Sequence, residues 1–306
     1  MTKYILKQVG TGIITLFVLI TAVFFMVRAL PGDPFADPKI SPDIKQNIVH
    51  YYGLDKPIAE QYGIYLGNLL KGDLGYSLKY RNITINDIIN QAFPYTADLG
   101  IRSAVFAIVV SVIVGILAAV KKGGPWDWVC TIISVIGLTI PNFVIGSILQ
   151  VIFGVNLKWL PVSDWKGISY TIMPIIVMSV GCFGWMPLLM RASMAEEGNK
   201  DYIKTAKAKG LPHRQIVLKY QIRNAILPIV TNLGVTVMGF LGGTLVAEQI
   251  FVVPGLGKFF NASITNLDYS MILGMTIFFG AFLILCNILV EIAYGFVDPR
   301  IRASRG

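Results

Sequence analysis

The chain has 306 residues, 55% hydrophobic and 14% charged, with mean hydropathy +0.66 and a formal net charge of +9. This composition excludes an ordinary soluble domain and indicates an all-α integral membrane protein. Lys and Arg cluster between apolar stretches instead of forming one stripe, so the charge indicates the lipid bilayer as partner and no nucleic acid.

A spanning helix needs about 20 mostly apolar residues. Six stretches qualify: 9–30, 97–120, 128–155, 172–190, 225–247 and 271–296. The first follows Lys3 and Lys7 but reads as a retained helix, because its apolar run outlasts a signal core and no A-x-A-like cleavage site follows. This divides the chain into 1–30 (N-terminus and first span), 31–96 (a cap), 94–296 (the transmembrane domain, with a basic loop at 191–224) and 297–306 (a tail).

The segment 31–96 is polar and near neutral, with seven acidic and six basic residues. Ser41-Pro42-Asp43-Ile44 and Pro57-Ile58-Ala59-Glu60-Gln61-Tyr62 carry helix-start signals, and Gly72, Gly75 and Arg81-Asn82 punctuate the rest. With Tyr51, Tyr52, Tyr62, Tyr65 and Tyr76 spaced along it, the segment predicts a small cap of short helices.

The third span carries Thr139-Ile140-Pro141-Asn142 near its middle, and Pro141 predicts a bend there. The fourth contains Pro174, Gly181, Gly184 and Pro187. The fifth contains Gly234, Gly239, Gly242 and Gly243, with Asn232 and Thr236 one turn apart. Small residues allow close helix packing; alternatively Pro141, Asn142, Asn232, Thr236 and Gly239 line a translocation path.

Arg28, Asp98, Arg102, Glu248 and Glu291 all fall near span ends, which argues against coupling to a proton or sodium gradient. An intramembrane protease is disfavoured because the two histidines, His50 and His213, lie in loops on opposite sides. Cys130, Cys182 and Cys286 form no metal or CxxC signature, so no metal site is expected.

Six spans place both termini on one side. Fifteen Lys and Arg lie on that face and nine on the other, six of the nine in the long 31–96 loop where the charge rule is weak. Both termini and the loop 191–223 are therefore expected to be cytoplasmic. In that loop Asp201 reads as an N-cap and Gly210 as the left-handed terminator of a two-turn helix, with Tyr202, Ala206, Thr205 and Lys209 along one face and Leu211-Pro212 restarting a helix.

The segment Asp201-Tyr202-Ile203-Lys204-Thr205-Ala206-Lys207-Ala208-Lys209-Gly210-Leu211, followed by Arg223-Asn224-Ala225-Ile226-Leu227-Pro228, resembles the EAA loop of bacterial ABC-importer membrane subunits in its peptide-transporter form. Leu30-Pro31-Gly32-Asp33-Pro34-Phe35, Glu248-Gln249-Ile250-Phe251-Val252-Val253-Pro254-Gly255-Leu256-Gly257 and Val297-Asp298-Pro299-Arg300-Ile301-Arg302 resemble three further motifs of that family, closest to the oligopeptide permease (OppB) type. Lys204 stands where the general pattern has glutamate, and Thr205 where it has alanine.

The resemblance implies a type I ABC importer fold in the bacterial cytoplasmic membrane. It also implies a second homologous permease (OppC type), two ATPases (OppD and OppF type) and an extracytoplasmic peptide-binding protein (OppA type). Asp201, Tyr202, Thr205, Ala206, Lys209, Gly210 and Leu211 would then couple to the ATPase. No G-x-x-x-x-G-K-[ST] occurs in the chain, so it is expected to be no enzyme and to bind no cofactor, with ATP and Mg used by the partner subunits. Dipeptide, nickel or glutathione uptake is the alternative within the family.

Overall fold

The computed structural model describes residues 2–29, 46, 49–80, 83–242 and 245–297, with the side chains of 2–5 and 291–297 left aside. The motif Leu30-Pro31-Gly32-Asp33-Pro34-Phe35, the helix start at Ser41-Pro42-Asp43-Ile44, Arg81-Asn82, Gly243 and the tail from Asp298 lie outside the described residues, as do the side chains of Lys3 and Glu291.

The helices are α1 (Thr2–Ala29), α2 (Ile58–Leu70), α3 (Ile85–Val120), α4 (Pro125–Thr139), α5 (Asn142–Asn156), α6 (Ile168–Glu197), α7 (Asp201–Ala208), α8 (His213–Ala225), α9 (Leu227–Gly242), α10 (Leu245–Phe251), α11 (Leu256–Thr265) and α12 (Tyr269–Val297). Among the described residues four helices, α1, α3, α6 and α12, are each long and apolar enough to cross a membrane. The pairs α4/α5 and α8/α9 pass the same test together but are bent by 111° and 50°, which makes up to six spans.

Two of these differ from the sequence reading. The second span begins at Ile85 instead of 97, because the preceding residues continue the helix through Pro94 and bury Ile85, Ile88, Ile89 and Ala92 on one face. The third is broken at Pro141, not merely bent. Ile140 (φ −97°, ψ 122°) and Pro141 (φ −59°, ψ 139°) are both extended, as expected where proline forces its predecessor out of the helical region. The last turns of α5, Gln150–Asn156, and the middle of α8, Ile216–Gln221, are π-helical.

The chain forms two compact units, 1–96 with 254–306 and 97–253. In the first, α1 lies along α12, with Gly12 against Ile284 and Ile288. The segment between the first two spans is anchored by Asp268. This buried carboxylate accepts hydrogen bonds from the Leu78 amide at 3.1 Å, from the Met271 amide at 3.1 Å as an N-cap of α12, and from the Ser77 hydroxyl. Beside it, Tyr52 accepts from the Tyr76 amide at 2.9 Å, and burial pushes its phenol pKa up to about 12.

In the second unit, α6 supplies the core through Met173, Met178, Cys182, Met186, Met190 and Met194, joined by Phe240 of α9 and Phe251 of α10. Glu248, expected near a span end, is fully buried in α10. Helix α4 crosses α6 at Gly137 and Gly184, where Ser134 Oγ donates to the Phe183 carbonyl at 3.1 Å. Arg191 pairs with Asp127 at 2.6 Å and joins the same two helices.

A methyl group at Gly137 would stand 2.5 Å from the Val180 carbonyl oxygen and 2.6 Å from the Gly184 nitrogen, and backbone cannot yield there. Gly137→Ala is expected to cost about 1–3 kcal/mol, read as a lowered melting temperature of the solubilised protein. Gly181→Ala on α6, where nothing lies within 4 Å of the added carbon, should leave the melting temperature unchanged or raised.

Candidate functional site

The segment 201–211 is a rod with an inner and an outer side. Helix α7 starts after Lys200, which occupies the N-cap position, and Asp201 lies in the first turn without a side-chain cap bond. The correction is local: Asp201 instead pairs with Lys204 at 2.8 Å, on the exposed surface. The C-terminus follows the sequence reading closely. Gly210 takes φ +73°, its amide donates to the Lys207 carbonyl at 2.9 Å, and the Leu211 amide donates to the Ala206 carbonyl at 3.3 Å. This is a Schellman motif, completed by Leu211 packing back over the helix.

The predicted face divides. Ala206 is buried with Ile203 against Ile216 of α8, so it docks the rod onto its own chain. Asp201, Thr205, Lys209 and Gly210 are exposed, Tyr202 is at the margin and Leu211 is half-buried. Ile203 escaped the sequence reading, although its three-residue spacing from Ala206 is the signal of a shared apolar face.

Tyr202 ties the rod down at its start. Its hydroxyl donates to Glu197 at the end of α6 and accepts from Asn224 Nδ2 of α8 at 2.9 Å. Burial, reinforced by the Glu197 carboxylate and opposed by Asn224, raises the phenol pKa and keeps the donor in place. Gln221 Nε2 donates to the Met194 carbonyl at 2.6 Å, so α8 grips α6 as well. The rod, α8 and the end of α6 thus form one hydrogen-bonded block, and the outer side of α7 is part of its exposed surface.

A second feature lies within the same unit. Asn142, Asn232, Thr236 and Gly239, four of the five predicted path residues, line one cavity of about 500 Å³. Met178, Cys182 and Trp185 of α6, Phe240 of α9 and Ala247 of α10 complete much of its wall. Pro141 is not in the lining; it is the N-cap of α5 and sets the position of Asn142. Asn232 Nδ2 donates to the Pro228 carbonyl at 2.8 Å and Thr236 Oγ1 to the Asn232 carbonyl at 2.7 Å, so both side chains bond back to their own helix. Among the described residues no charged side chain lines the cavity. Its α6 wall escaped the sequence reading because Cys182 and Trp185 look like ordinary span residues. Among the described residues no group of His, Cys, Asp and Glu could hold a metal ion.

Solved structures share this multi-pass helical fold. An amino acid ABC transporter structure matches with TM-score 0.53 at 13% identity, covering 68% of this chain and 92% of that one. The inward-facing MetNI methionine ABC transporter matches with TM-score 0.52 at 19% identity, covering 71% and 95%. The family model for binding-protein-dependent transport system inner membrane components matches residues 111–303, and that of its N-terminal region matches residues 1–100. The chain belongs to this family. The oligopeptide transport system permease protein OppB of Haemophilus influenzae is 40% identical over 99% of this chain and 100% of its own length. The dipeptide transport system permease protein DppB of Bacillus subtilis is 36% identical over 100% and 99%. OppB of Escherichia coli K12 is 38% identical over 99% and 100%.

Proposed function

We propose that this chain is the permease subunit of an ATP-driven peptide importer, forming half of the translocation path and receiving its motion through α7. One observation carries the reading: the rod is fixed to α6 and α8 through Tyr202 and the Ile203–Ala206–Ile216 contact, while its other side is left exposed. A load applied to the exposed side is delivered to α6 and, through α8, to α9, the two helices that supply most of the cavity wall.

In this reading Asp201, Tyr202, Thr205, Lys209 and Gly210 meet a cytosolic ATPase, while Ala206 and Leu211 hold the rod in place. Both termini and α7 are cytoplasmic, and the segment between the first two spans faces an extracytoplasmic binding protein. The cavity presents amide and hydroxyl side chains among apolar ones and, among the described residues, no charge, which suits a substrate with a constant backbone and variable side chains. Relatives named for oligopeptides and for dipeptides both support a peptide; we favour oligopeptide.

The test uses the complete complex in proteoliposomes, with its ATPases, second permease and binding protein. Cysteine introduced at Thr205 or Lys209 should crosslink to an ATPase, and uptake of a labelled peptide should require ATP and survive an uncoupler. Uptake that continues without ATP and stops with the uncoupler defeats the reading. So does an absence of crosslinks in an active complex.

A further inference from the structure

Most polar side chains in the wall of the 500 Å³ cavity are already engaged. The Asn232 amide and the Thr236 hydroxyl donate to carbonyls of their own helix, at 2.8 and 2.7 Å. The Cys182 thiol donates to the Met186 sulfur at 3.7 Å. The Trp185 indole carries a donor and no acceptor. Asn142 differs from all of these. It is exposed, lines the cavity and has no hydrogen-bond partner among the described residues, so both halves of its carboxamide, a donor and an acceptor, are unpaired.

The break in the third span accounts for this. A carboxamide satisfies the start of a helix from the N-cap position, and in α5 that position is held by Pro141, whose side chain has no polar atom. Asn142 comes one residue too late to cap its own helix. The last hydroxyl before the break, that of Thr139, turns back to the Val135 carbonyl at 2.7 Å. One turn beyond Asn142, Gly146 is buried, and its Cβ position lies 3.4 Å from Ile250 of α10 and 3.7 Å from Val177 of α6. The free amide is therefore presented by a helix packed closely on two others.

An extended peptide carries the matching pair of groups. The N–H and C=O of one residue lie along the same edge of the strand, and a facing antiparallel residue answers both at once. A primary carboxamide reproduces that facing residue with a single side chain. It reads the backbone alone, so it is indifferent to amino-acid sequence. The rest of the wall is largely apolar, and a peptide that lost its water there without a partner would leave polar groups unsatisfied.

We propose that Asn142 recognises the peptide backbone in the path: its Nδ2 donates to a substrate carbonyl, and its Oδ1 accepts the N–H of the same substrate residue. The proposal rests on the peptide-import reading and adds the chemical class that passes, an extended segment with an unsubstituted backbone amide. One two-point contact is also weak enough to let each residue leave as the next arrives.

The test uses the complete complex in proteoliposomes, with its binding protein saturated either by trialanine or by trialanine N-methylated at both peptide bonds. The wild type should import trialanine about tenfold faster, the worth of roughly one buried hydrogen bond. Asn142→Leu and the smaller Asn142→Ala should import both peptides at one low rate, whereas Asn142→Gln, which restores both groups, should keep the preference. Comparing variants under one binding protein cancels that protein's own preference. Asn142→Leu should also slow tripeptides with a central glutamate, lysine or leucine by a common factor, with the melting temperature held. Equal import of the two trialanines by the wild type overturns the assignment. So does a preference that survives in both Asn142→Leu and Asn142→Ala, or a slowing that follows the central side chain. Wild-type vesicles that import neither peptide with ATP defeat the import reading itself, a result distinct from these.

Discussion

Ala206→Glu abolishes uptake while the protein still inserts and assembles its spans. Ala206 is 5% exposed and packs with Ile203, Leu211 and Ile216, so a glutamate there must either displace these apolar side chains or bury its carboxylate among them. Burying it unpaired costs several kcal/mol. Even about 3 kcal/mol reduces the docked population of α7 roughly a hundredfold, and only a small apolar contact and the Tyr202 hydrogen bonds oppose that loss. Hydrogen exchange separates this effect from a lost partner contact. Protection across 201–208 should disappear in Ala206→Glu and persist in Ala208→Glu, which adds the same charge on an exposed position of the same helix. Normal uptake by Ala206→Glu would remove the rod from the transmission of force.

The spans were legible because a bilayer imposes a strong constraint, about 20 apolar residues for each crossing. The terminator at Gly210 was legible for a similar reason, since few residues other than glycine adopt φ +73° without cost. What sequence could not supply was the direction in which side chains face. Tyr202 and Ala206 are one turn apart and look equivalent on a helical wheel, yet one bonds Glu197 and Asn224 while the other packs on Ile216. That difference is fixed by α6 and α8, tens of residues away in part. The break at Pro141 was half legible: proline disfavours the helical region for Ile140, yet α3 and α6 run on through Pro94, Pro174 and Pro187, so a proline in the sequence does not by itself say which outcome follows. Gly137 was unreadable as a crossing point, because its partner Gly184 is 47 residues away and carries no pattern linking the two.

Gly239→Trp is expected to leave the fold intact and cut uptake more than about tenfold, a barrier of roughly 1.4 kcal/mol or more. A carbon added at Gly239 meets nothing within 4 Å, and the residue lines the cavity with Asn142, Asn232 and Thr236. A side chain placed there therefore grows into empty space instead of against a neighbour, and a helical glycine replaced by a better helix former gains up to about 1 kcal/mol. Thermal stability should hold or rise, which separates obstruction from damage. The graded series Gly239→Ala, Gly239→Leu and Gly239→Trp should lose long or bulky peptides before short ones, since the free cross-section falls with each step. Uptake independent of side-chain size at this position would mean that substrate passes elsewhere and that the cavity between α6 and α9 serves helix movement alone.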